Sequence, residues 1–138
     1  MGTGSRLAIS LAAISAVIVP TACGNIEEQS LCPAYAIYLT EVSAALESPV
    51  TDAATALTSI DKVRASLSQL RTASDSRFVT AIDDLDETIN DMQLTLESVE
   101  SQTDYATWAP LVEDTRLDAR DAQLRLSNLL DPQCTPQR

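Results

Sequence analysis

A chain of 138 residues that is 45% apolar and 21% charged can bury one small core and has no material for a second. Its formal charge of −11 argues against nucleic acid and anionic lipid headgroups as partners. With no histidine, a single lysine and no Gly-rich phosphate loop, the residue inventory points to a non-enzymatic protein without cofactor or metal.

In chain order, Arg6 closes a short N-terminal region and Leu7 to Val19 forms an apolar run followed by small residues. This is the pattern of an export leader over residues 1–22. Pro20 cuts the run below the roughly 20 apolar residues that a membrane-spanning helix needs. The residues Val19-Pro20-Thr21-Ala22-Cys23-Gly24 resemble the lipobox of bacterial membrane lipoproteins, in which small residues precede a lipid-bearing cysteine. Pro20 stands where that motif usually has Leu, Val or Ile. The resemblance implies that Cys23 is acylated, becomes the mature N-terminus and anchors the chain outside the cytoplasm, on the cell membrane. Residues 23–31 then form a short tether. Beyond the leader, eight basic residues stand against 20 acidic ones, a charge of −12. Membrane affinity must therefore come from the lipid and not from the surface charge of the domain.

The glycines stand at 2, 4 and 24, so none follows Gly24. Their absence disfavours tight hairpins and hence a β meander. The prolines that follow, at 33, 49, 110, 132 and 136, read as helix starts or stops. Helix one is predicted from about Pro33 to Glu47, with Tyr35, Tyr38, Leu39, Val42, Ala45 and Leu46 on one stripe. Helix two is predicted from about Pro49 to Arg71, with Ala53, Ala56, Ile60, Val63, Leu67 and Leu70 as its seam. The segment Thr72 to Ser76 offers several N-caps. Helix three then carries Phe78, Ile82, Leu85, Ile89, Met92, Leu96 and Val99 at unbroken spacings of four and three. A short turn over Thr103 to Trp108 is expected before Pro110 starts or kinks helix four. Its stripe reads Leu111, Val112, Thr115, Ala119, Ala122, Leu126 and Leu129, and it should end before Asp131 and Pro132. The fold class is all-α, an antiparallel up-down four-helix bundle.

With Cys23 acylated, Cys32 and Cys134 remain, expected just before helix one and just after helix four. An even number of antiparallel helices brings the two chain ends to one end of the bundle, where an exported compartment allows a disulfide to clamp residues 32–134. Residues 135–138 are left as a tail. The tether places that clamped end within about 30 Å of the membrane. The turn at Ser48 and Pro49 and the connection from Ser101 to Trp108 then face away from it.

Asp83, Asp84, Asp86, Glu87 and Asp91 form a dense carboxylate group on helix three, read chiefly as a solvated face and otherwise as a surface for a ligand or basic partner. Tyr35, Tyr38 and Trp108 read as core layers or, alternatively, as part of such a surface. Ser59, Lys62 and Ser66 satisfy the spacing of a serine and lysine nucleophile pair only formally, on a helix rich in serine. The expected function is that of a tethered interaction module with a protein partner in the cell envelope. A carrier of a small apolar ligand such as haem or lipid would instead need a cavity between helices one and four. Exported actinobacterial haem carriers also pair terminal cysteines, a resemblance of architecture only, since their aromatic and histidine motifs are absent. A third role is that of a prophage-encoded lipoprotein that excludes other phages.

Overall fold

The computed structural model describes residues 26–102 and 104–135, apart from the side chains of 26–29 and Tyr105. Four α-helices make up its secondary structure: α1 (Ile26–Leu46), α2 (Ala53–Ala73), α3 (Ser76–Val99) and α4 (Tyr105–Cys134). Each packs against the next, and α1 closes the ring on α4. The cross-helix bonds fix the directions. Arg71 of α2 meets Asp83 of α3, while Arg64 meets Asp86, so sequence numbers rise on one helix as they fall on the other. Likewise Cys32 of α1 is joined to Cys134 of α4, while the far end of α1 at Leu46 meets Arg116. The architecture is the antiparallel bundle expected, clamped by the Cys32–Cys134 disulfide with a Cα separation of 5.2 Å.

The apolar seams build the core as read. On α3 all seven predicted positions are buried. On α2 the buried seam is Ala53, Ile60, Val63, Leu67 and Leu70, with Ala56 packed at its edge. On α1 the stripe extends back to Leu31, which continues the four-and-three spacing through Tyr35, Tyr38, Val42 and Ala45.

The helix boundaries differ from expectation wherever proline was taken as punctuation. Helix α1 starts at Ile26, seven residues before Pro33, and α4 runs through both Pro110 and Pro132 to Cys134. Each of these prolines lies on an exposed face, bracketed by buried or bonded residues: Leu31 and Tyr35, Trp108 and Val112, Leu130 and disulfide-linked Cys134. Those anchors hold the turns on both sides, and they outweigh the lost N–H bond of each proline. Both disulfide cysteines consequently lie inside helices, not beside them. Pro49 does not begin α2. Asp52 does, its carboxylate accepting the Thr55 backbone N–H at 2.8 Å and also the Thr55 hydroxyl. Asp75 caps α3 in the same manner, accepting from the Arg77 N–H at 2.8 Å.

On α4 the register is shifted by one residue at both ends. The buried residues are Trp108, Val112, Arg116, Ala119, Ala122, Leu126, Ser127 and Leu130, whereas Leu111 and Leu129 are 55% and 46% exposed. Leu111 with Val112, and Leu129 with Leu130, are adjacent apolar pairs. A 3.6-residue period admits either member of such a pair. Trp108, with the largest surface to bury, decides the register at the N-terminal end.

Candidate functional site

The predicted carboxylates do not act as one group. Asp83 pairs with Arg71 at 2.6 Å and Asp86 with Arg64 at 3.6 Å, both across the α2–α3 groove. Arg64 also donates to Gln93 Oε1 at 2.8 Å. Asp84, Glu87 and Asp91 project from the other side of α3 and form no ion pair among the described residues. Two of the five carboxylates are therefore spent in cross-helix pairs and three are exposed to solvent. Among the described residues, no group of three or more acidic or cysteine side chains is placed to hold a metal ion.

Tyr35, Tyr38 and Trp108 are buried in the core, as in the first of their two readings, and do not form part of a presented surface. Tyr35 and Tyr38 stack with ring centroids 6.1 Å apart. The Tyr35 hydroxyl donates to Asp131 Oδ1 at 2.6 Å, a second link between α1 and α4 close to the disulfide. Burial, reinforced by the Asp131 carboxylate, raises the pKa of that phenol well above its usual value. Tyr38 is buried throughout, and its hydroxyl meets no hydrogen-bond partner among the described residues. Between α1 and α4, where a carrier would need room, the buried Tyr35 and Tyr38 rings occupy the part of the contact nearest the disulfide. The Ser59 and Ser66 hydroxyls donate to the backbone carbonyls of Thr55 and Val63, and neither is held toward exposed Lys62.

At the end away from the disulfide, a feature appears that the sequence reading did not include. Arg116 is only 5% exposed. It forks between the Glu113 carboxylate at 2.8 Å and the backbone carbonyl of Leu46, the last residue of α1. Glu113 is held below the usual carboxylate range by its bonds to Arg116. Above this pin lies an open groove of about 320 Å³ lined by Pro49, Val50, Ala106, Ala109, Pro110, Val112 and Glu113. The spacing of Glu113 and Arg116 was a visible helical pair. Only the burial of its cation was hidden, because arginine is counted as polar in any hydrophobic stripe.

Cys23 and the lipobox-like segment lie outside the described residues, and among those described no helix is long and apolar enough to cross a membrane. The described residues define a class: an acidic four-helix bundle whose first and last helices are clamped by the Cys32–Cys134 disulfide. Comparison with protein-family models, curated proteins and solved structures finds no match for this chain.

Proposed function

We propose that the protein is a lipid-anchored module of the bacterial cell envelope, held on the extracytoplasmic side of the membrane through Cys23 and serving to bind another protein. The observation that supports this most directly is the cysteine arithmetic. Cys32 and Cys134 satisfy each other, which leaves Cys23, at the end of a lipobox-like segment, as the odd cysteine. An unpaired thiol sits poorly in an oxidising compartment, and acylation removes it.

The anchor also orients the bundle. Ile26 to Leu31 are helical and rise about 9 Å in all. The three residues from Cys23 to Asn25 add at most about 11 Å. The disulfide end then sits within about 20 Å of the membrane, and the Leu46 end faces away. Tyr35, bonded to Asp131 of α4, and Tyr38, stacked on it, fill the part of the α1–α4 contact nearest the disulfide with side chains, which supports an interaction role over the carriage of an apolar ligand.

Intact mass of the membrane-extracted protein, with alkylation before and after reduction, tests the proposal. The expected species begins at Cys23, carries the mass of a diacylglyceryl group or more, and gains alkyl groups at two cysteines only after reduction. A mature chain that begins at an unlipidated residue would overturn the tether.

A further inference from the structure

We infer that the end of the bundle away from the disulfide docks a short basic segment of another protein, seating an apolar side chain in the groove between the α1–α2 loop and the start of α4. The groove is the size of one or two side chains, at the lower limit of ligand pockets, and its walls are set by Pro49, Val50, Ala106, Ala109 and Pro110. Two of those residues are prolines with fixed φ, and Arg116 ties α4 to the last carbonyl of α1 beside them. The site is therefore held in shape without its occupant.

Charge selects the partner. Glu47, Asp52, Glu97, Glu100, Asp104, Glu113 and Asp114 all stand at this end, in or near the two turns and the first part of α4. The one cation among the described residues there is Arg116, buried and already paired with Glu113. Lys62, Arg64, Arg71, Arg77, Arg120 and Arg125 lie in the middle or toward the disulfide.

The fold accounts for some of these carboxylates and not for others. Asp52 and Asp104 precede α2 and α4, where the positive end of a helix favours an acid. Glu47 directly follows α1, Glu97 lies in the last turn of α3, and Glu100 follows that turn. At those C-terminal ends the helix dipole favours a cation, and neither helix has a basic residue in its last turn. Glu47, Glu100 and Asp114 form no ion pair among the described residues. Carboxylates that oppose their own helices at the same end of the bundle as an apolar groove match a partner that brings lysine or arginine together with an apolar side chain. A second copy of this end would set like charge against like, and an anionic lipid surface would be repelled.

The inference names the partner chemistry for the interaction role proposed above, and it depends on that role only for the accessibility of this end. The intact-mass measurement tests the anchor separately, so the two can fail independently. Trp108 is the single tryptophan and lies between Ala106 and Ala109 in the chain, which makes it a built-in reporter. Full-length protein in neutral detergent is titrated with three synthetic hexapeptides: four lysines with two leucines, four lysines with two serines, and four glutamates with two leucines. The lysine–leucine peptide is expected to shift Trp108 emission saturably and to bind at least tenfold tighter than the lysine–serine peptide. The glutamate peptide should give no response. Raising NaCl from 50 to 300 mM should weaken binding at least tenfold. The double variant Glu47→Gln/Glu100→Gln should weaken it several-fold while raising the thermal midpoint, and Ala106→Arg at an exposed position should abolish it. Four outcomes would overturn the inference: equal binding of the two lysine peptides, no saturable signal, insensitivity to the glutamine substitutions, or self-association through this end.

Discussion

Arg116 donates to the backbone carbonyl of Leu46, 70 residues earlier in the chain, and to the Glu113 carboxylate one turn away. One guanidinium thus ends α1, fixes α4 against it and keeps its own charge paired. Only arginine offers that forked geometry, since an ammonium is a single point of charge.

Replacing Arg116 with Met should destabilise the protein by about 2 kcal/mol, mainly by leaving the Leu46 carbonyl without a partner. Part of the loss is spared because Glu113 is partly exposed and can return to water. Arg116→Lys should recover only a fraction. Urea-unfolding midpoints measure both, and a lysine variant as stable as the parent would show that charge alone suffices.

The same pair sets a pH dependence. Hydrogen bonds from Arg116 keep Glu113 lower than an ordinary glutamate, so the folded chain holds that proton less tightly than the unfolded one. The resulting stabilisation is complete above the unfolded value of about 4 and fades as pH falls through the lowered one. Asp52, lowered by its bonds from Thr55, and Asp75, lowered by Arg77, act in the same direction. Protonation of the many other carboxylates relieves repulsion and works the opposite way, so the informative quantity is a difference. Thermal midpoints of the parent and Glu113→Gln should differ by a few degrees at pH 7 and converge by pH 3. A constant gap across that range would refute the assignment.

The two stacked tyrosines should respond with opposite signs. Tyr38→Phe removes a buried hydroxyl that has no partner among the described residues and should stabilise by about 1 kcal/mol. Tyr35→Phe removes the bond to Asp131 and should destabilise by a similar amount. Calorimetric midpoints distinguish them, and a drop for Tyr38→Phe would mean that its hydroxyl is satisfied in solution.

The Cys32–Cys134 bond closes a loop with a sequence separation of 102, for which the chain-entropy estimate is about 4 to 5 kcal/mol. Cys32→Ser, Cys134→Ser and the double variant should lose nearly the same stability, because each removes the same single constraint. Reductant should lower the denaturant midpoint of the parent and leave the variants unmoved. A parent whose midpoint is indifferent to reductant would refute the clamp.

Much of the bundle was legible because apolar spacing reports directly on which face a helix must bury. The α3 seam from Phe78 to Val99 was read without error, since Leu85, Ile89, Met92, Leu96 and Val99 each stand between polar neighbours and together fix one register for the whole helix. The α4 stripe slipped by one residue because Leu111 and Leu129 each have an equally apolar neighbour in the chain. Pro33, Pro110 and Pro132 misled the boundaries because local rules describe what proline costs a helix and not what holds the helix together on either side. For the candidate site, the carboxylates of α3 were visible as residues. Their division into Asp83 and Asp86 facing arginines and Asp84, Glu87 and Asp91 facing solvent followed from the packing of α2 on α3.

By itself the sequence determined the fold class, the number of helices and the cysteines that close the bundle, because periodicity, missing glycine and the parity of antiparallel helices are properties of the chain alone. Tertiary packing decided the rest. It buried Arg116, carried α1 and α4 through their prolines, and gathered Pro49, Val50, Ala109 and Glu113 around one groove. Those outcomes depend on residues about 60 to 100 positions apart coming into contact, and only the assembled core defines which of them meet.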